Sequence, residues 1–200
     1  MKTYSMRQIL TYRPLWLLLF ILVMLRLPSL NRPLSKHDDF NTAVILINAI
    51  SWQQAGGGHH FHYTPLMNFQ GKANKIFEKG YHIDSSNNQV YLSFGAGWYV
   101  LPYFVFSALH VDATPLALQL LSICIGLLSV CMLFGFLAAA TGNTHSAFFG
   151  TLLFIFLPAS LWYLGISYVT TGIMMPLVIW ILLLWQRLAK DASVIGASWL

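Results

Sequence analysis

The sequence predicts an all-α polytopic membrane protein with four or five transmembrane helices and one large extracytoplasmic loop containing amphipathic surface helices. Of its 200 residues, 57% are hydrophobic, 15% aromatic and only 8% charged, against ~25% charged in ordinary soluble chains. The apolar residues gather into runs long enough to cross a bilayer, and Lys2, Arg7 and Arg13 stand before the first of them, as the positive-inside rule places a cytoplasmic end. The net charge of +5 rests on 11 dispersed Lys and Arg. They form no phosphate-binding patch, which excludes a nucleic-acid partner.

Taken in order, residues 14–30 make the first span, ~25 Å of helix at 1.5 Å per residue. Arg26, Pro28, Arg32 and Pro33 at its far end leave no small-residue cleavage site, so it is a retained span rather than a signal peptide. Residues 31–90 hold five of the seven His and most of the Asp and Glu. Irregular backbone of that kind has no amide partners in lipid and must be an outer aqueous loop. Within it, Phe40, Val44, Ile47 and Ile50 recur at a rough helical period over residues 38–54. That spacing predicts an amphipathic helix lying along the membrane surface, ended by Gly56-Gly57-Gly58.

Residues 90–109 are apolar but interrupted by Gly95, Gly97 and Pro102, and three further spans follow at 115–140, 146–167 and 169–185. If 90–109 crosses, Arg187 and Lys190 end outside; if it dips in and returns, they join the N-terminal basic trio in the cytoplasm. The positive-inside rule favours the re-entrant or surface-lying form. Cys124 and Cys131 lie seven apart in one span, ~10 Å along a helix and too far for a disulfide. Asp191 reads as the cap of a further helix opening at 191–200, which predicts the N-terminal part of a longer protein.

Three clusters carry possible chemistry. His37-Asp38-Asp39 opens the surface helix, and two adjacent carboxylates at a membrane boundary suit a general base and its partner. Asp in a first helical turn also serves simply to satisfy free amides. His59, His60 and His62 follow the glycines; in an extended segment neighbouring rings would diverge, so no metal site is expected. Lys72, Lys75 and Lys79, with Glu78 interleaved, suit lipid phosphate or a solvated helix face. Tyr163, Tyr168, Thr170 and Thr171 suit hydrogen bonds between spans.

This order of features resembles the N-terminal module of GT-C-type glycosyltransferases, above all the protein O-mannosyltransferase and lipid A aminoarabinose transferase group. It runs from a basic tail and one span to an outer loop opening with Asp38-Asp39, then the aromatic segment Tyr91-Leu92-Ser93-Phe94 and a row of helices. The resemblance implies a polyprenyl-phosphate sugar donor, Asp38 as base toward an acceptor hydroxyl and Asp39 as its partner. The segment Tyr91, Ser93, Gly95 and Gly97 would border the site, and Lys72 or Lys75 would meet the departing phosphate. It implies a bacterial inner (cell) membrane with the N-terminus cytoplasmic. No cofactor is required, although Asp38, Asp39 and His59 could hold a divalent metal. Asp39 stands where relatives more often have Glu, and Gly95-Ala96-Gly97 where many have Pro-Pro. The alternative is a non-enzymatic membrane subunit or transporter fragment; the interiors of the later spans carry no ionisable residue, which argues against ion-coupled transport.

Overall fold

A computed structural model of the chain describes residues 11–30, 39–64, 82–83, 89–90, 97–163 and 170–197. The described chain is helical: α1 Arg13–Arg26, α2 Asp39–Gln54, α3 Gly97–Leu109, α4 Pro115–Thr141, α5 Thr144–Phe156, α6 Pro158–Tyr163 and α7 Thr170–Ala197. The departure from an all-α chain is a short antiparallel ribbon, β1 His82–Ile83 with β2 Gln89–Val90, in the register His82 to Val90 and Ile83 to Gln89. The chain divides into two compact units, a first made of Met1–Leu30 and Ser122–Leu200 and a second made of Asn31–Leu121.

In the first unit, α1 starts with Pro14 in its first turn, where a missing N–H goes unnoticed. Leu15, Leu18 and Leu22 point into a core shared with Val130, Phe134 and Ala138 of α4 and Ala147 and Ile155 of α5. Tyr12 stacks on Phe134 with ring centres 5.4 Å apart. Between α4 and α5 the chain reverses at Gly142, whose φ of +67° is the left-handed conformation that glycine adopts without strain. Asn143 then caps α5, its Oδ1 accepting the His145 N–H at 2.9 Å, which satisfies one of the free amides of the first turn. Beyond the turn, a Cβ on Gly150 would stand 2.8 Å from Leu137 Cδ1. The two helices therefore touch closely as an antiparallel hairpin.

Relative to α1, α5 runs parallel. Tyr12, Arg13, Pro14 and Leu17 share a groove with His145, Phe148 and Phe149, and at the other end Arg26 reaches the carbonyls of Ser160 and Leu161. Since α4 is antiparallel to α5, the chain leaves this unit at Leu30 and re-enters it at Ser122 on the same end.

The expected span over 146–167 is interrupted. Pro158 disfavours the helical conformation at the preceding residue, and Leu157 is extended at φ −59°, ψ 134°, whereas Pro102 and Pro176 are carried inside α3 and α7. Asp191 does not open a new helix: α7 passes through it, because Lys190-Asp191-Ala192 offers neither Gly nor Pro to stop the helix.

Outward faces in this unit are as apolar as inward ones. Trp16, Phe20 and Met24 on α1, Phe149, Leu153 and Phe156 on α5, and Leu177, Ile181, Leu184 and Leu188 on α7 are all exposed. Among the described residues one helix, α4, is long and apolar enough to cross a membrane, while α3, α5 and Met174–Gln186 within α7 are shorter apolar helices. At 1.5 Å per residue, the 27 residues of α4 reach ~40 Å.

In the second unit, α2 begins at Asp39, within one residue of the expected start. It stops before Gly56 and Gly57, both at positive φ. It is not, however, an amphipathic surface helix. Val44, Ile45, Leu46, Ala49 and Trp52 are buried together with Thr42, Asn48 and Ser51. The reason lies in the run Ala43-Val44-Ile45-Leu46-Ile47, which covers every side of a 3.6-residue turn and leaves no polar face. Asn48 is accommodated inside by donating its side-chain amide to the Val44 carbonyl at 2.7 Å. Packed against α2, α3 buries Tyr99, Pro102 and Phe106. The α3 helix ends at His110, in the left-handed region with φ 53°, and the Val111 N–H donates back to the Phe106 carbonyl at 2.9 Å. Gln53 then clasps the following loop: its Nε2 donates to the Val111 carbonyl at 3.0 Å and its Oε1 accepts the Ala113 N–H at 3.2 Å.

Candidate functional site

Of the acidic pair, Asp39 lies among the described residues. It is the first residue of α2, where free amide groups and the helix dipole favour negative charge. Asp38, Lys72, Lys75, Tyr91, Ser93 and Gly95 lie outside the described residues, as does the separation of Asp38 from the Gly95–Gly97 turn. Gly97 opens α3 in an exposed position, and a Cβ placed on it would meet nothing within 4 Å. Among the described residues, no neighbouring atom at that point requires a glycine.

His59 and His60 do not diverge as an extended segment would require. Gly58–Phe61 forms a 3-10 turn, so their rings lie side by side with centres 4.1 Å apart and planes tilted by 37°. The Gly57 backbone makes this possible, because the His59 ring occupies the space a Cβ at Gly57 would need. Both histidines are exposed. Among the described residues no three His, Cys, Asp or Glu side chains gather where a metal ion could sit.

Beneath the histidine turn lies an aromatic cluster that the sequence pattern did not reveal. Trp52, wholly buried, meets Tyr63 and Tyr103 edge-on at 5.7 and 5.5 Å, an arrangement that aligns ring edges with ring faces. Gly58 is pressed into the same cluster, since a Cβ there would lie 2.8 Å from the Tyr63 ring and 3.1 Å from Trp52. The Trp52 indole N–H and the neighbouring Ser51 hydroxyl are buried with no hydrogen-bond partner among the described residues. Its sequence signal was available: a Trp at a helix end, followed within a few residues by glycines and Tyr63.

Arg26, which from sequence serves only to mark the far end of the first span, is buried in the first unit. Its guanidinium donates to the carbonyls of Leu161 and Ser160, the latter at 2.7 Å. These carbonyls belong to α6, too short a helix to satisfy its own last turn. The Nε of Arg26 has no partner among the described residues. An arginine inside an apolar run is itself a signal of such a role. Thr151 places a second buried hydroxyl without a partner in this unit.

At the opposite end of α1, Tyr12, Arg13, Pro14, Leu17, His145, Phe148 and Phe149 line a groove of about 450 Å³. Set beside known protein families, curated proteins and solved structures, the chain has no match.

Proposed function

We propose that this chain is a membrane-embedded glycosyltransferase module, which transfers a sugar from a polyprenyl-phosphate carrier to an acceptor hydroxyl on the outer face of a bacterial inner membrane. The observation that supports the reading is the start of α2 at Asp39, an acidic residue at the leading end of a helix whose body is buried.

Topology supports the outer placement. With Lys2, Arg7 and Arg13 holding the leading end of α1 in the cytoplasm, both Leu30 and Ser122 belong to the outer end of the first unit. The intervening chain then makes an even number of crossings. An even number leaves the apolar helix α3, 13 residues long among the described residues, dipping in or lying flat rather than crossing. Four crossings result: α1, α4, α5 continued by α6, and α7. The last returns Arg187 and Lys190 to the cytoplasmic side. The apolar outward faces of these helices support lipid contact.

In the reaction, Asp38 takes the proton of the acceptor hydroxyl as its oxygen attacks the anomeric carbon. The new carbon–oxygen bond forms while the bond to the phosphate oxygen breaks, and the polyprenyl phosphate departs toward Lys72 or Lys75. Asp39 orients the base; Tyr91, Ser93, Gly95 and Gly97 border the donor. No redox cofactor enters this chemistry, and a divalent metal shared by Asp38, Asp39 and His59 would serve only to neutralise donor phosphate.

The test is Asp38→Asn in the full-length protein, with transfer from a labelled lipid-linked sugar as the readout. A general base contributes on the order of 10²–10⁴-fold, so turnover is expected to fall at least about 100-fold; unchanged turnover removes Asp38 from the role. A wild-type protein without transfer activity favours the second reading, a non-enzymatic subunit. The observation behind that reading is that α4 and α5 contain no Asp, Glu, Lys or Arg.

A further inference from the structure

The groove at the leading ends of α1 and α5 joins two kinds of surface. Arg13 and His145 are both exposed at its rim, while Pro14, Leu17, Phe148 and Phe149 supply an apolar lining. Leu17 and Phe149 are themselves exposed, and each continues along its own helix into further exposed apolar residues, Phe20 and Met24 on α1 and Leu153 and Phe156 on α5. A polar head and an apolar track thus meet at one point.

Charge selects the occupant. The first unit carries Lys2, Arg7, Arg13, Arg26, Arg187 and Lys190 against a single acidic residue, Asp191, whereas the second balances Arg32, Lys36, Lys72, Lys75 and Lys79 against Asp38, Asp39, Glu78, Asp84 and Asp112. The net positive charge of the chain therefore resides wholly in the unit that holds the groove. Its donors are side chains rather than helix amides, because Pro14 has no N–H and the His145 N–H is already given to Asn143. Arg13 offers a fork of N–H groups suited to phosphate oxygens, and the imidazole of His145 donates an N–H whether or not it is charged.

We propose that this groove is a seat for one anionic glycerophospholipid of the cytoplasmic leaflet, its headgroup phosphate held by Arg13 and His145 and the upper part of one acyl chain laid along Leu17, Phe148 and Phe149. A free phosphate would use the first pair alone and leave the apolar lining bare. The inference rests on the membrane topology proposed above and is independent of glycosyl transfer.

The experiment uses the full chain reconstituted with phosphatidylglycerol and phosphatidylcholine of identical acyl chains, with retained lipid counted by native mass spectrometry. Phosphatidylglycerol is expected to be retained in preference, and Arg13→Gln with His145→Gln to reduce that preference by about fivefold for each basic group lost. Arg13→Lys alone is expected to keep most of it. A photoreactive benzoylphenylalanine at Leu17 reads the same site without altering the basic pair, and is expected to crosslink phosphatidylglycerol. Equal retention of the two lipids, equal crosslinking at Leu17, or displacement of the lipid by millimolar glycerol phosphate would each overturn the proposal. Release of the protein from membranes by alkaline carbonate would instead overturn the topology on which it stands.

Discussion

In the first unit, α1 turns Leu15, Leu18 and Leu22 inward and Trp16, Phe20 and Met24 outward, so both faces of one helix are apolar and only one is covered. In the second, α2 is covered on almost every side and takes Thr42, Asn48 and Ser51 in with its apolar residues. The contrast shows two ways of disposing of apolar surface. One leaves half of it to the surroundings, as suits the lipid contact proposed above, and α3 of the second unit does the same at Leu101, Phe104 and Leu109. The other closes around it and accommodates its polar groups by local bonds such as Asn48 to Val44. The two units also part company in charge, since the excess of Lys and Arg belongs to the first alone.

The largest expected effect tests whether the second unit depends on its aromatic centre. Trp52→Ala removes a wholly buried side chain and is expected to cost about 3–5 kcal/mol, read as a lowered unfolding midpoint in detergent. Hydrogen exchange in α2 and α3 should rise while that in α4 and α5 stays near its original level. An equal rise in both would dissolve the distinction between the units.

A matched pair of substitutions addresses the outward faces directly. Leu153 in the first unit and Leu109 in the second are similarly exposed, at 71% and 66%. Leu153→Lys places a charge within a proposed span and is expected to cost about 2.5–3.5 kcal/mol in an insertion assay. Leu109→Lys, beside His110 and Asp112 in the loop that follows α3, is expected to change stability by less than about 0.5 kcal/mol. Equal tolerance of the two would mean that the apolar stripe of α5 does not face lipid.

A smaller effect is expected from Arg26→Ala. It strips two carbonyls of α6 of a charged donor and should cost about 1.5–3 kcal/mol, with increased hydrogen exchange at α6 and the adjoining end of α1. Arg26→Lys should recover part of the loss, since an ammonium can satisfy one carbonyl but cannot fork to both. A neutral Arg26→Ala would show that α6 is held by its packing alone.

Some of this architecture was legible residue by residue. The span expected over 115–140 is α4, Pro115–Thr141, because sustained apolarity between a proline and a Thr-Gly-Asn turn is a local property. The start of α2 was equally legible, since an Asp pair before an apolar run suits the free amides of a first turn. Gly56 and Gly57 marked its end for the same kind of reason. The break at Leu157 precedes Pro158, but Pro102 and Pro176 are carried inside α3 and α7, so a proline alone does not say where a helix stops. Of the candidate site, only Asp39 and Gly97 fall among the described residues.

Sequence alone thus determined what each segment can do locally: where the backbone turns, where a helix starts, and which stretches prefer to leave water. Only the tertiary structure decided what lies against what. The burial of α2 depends on α3 and on Tyr63 and Tyr103 closing over Trp52, and no periodicity within α2 encodes those neighbours. The role of Arg26 depends on a carbonyl 134 residues away. Transfer free energies and φ/ψ limits act within a few residues and can be read along the chain, whereas the pairing of a buried charge with a distant backbone oxygen exists only once the helices have met.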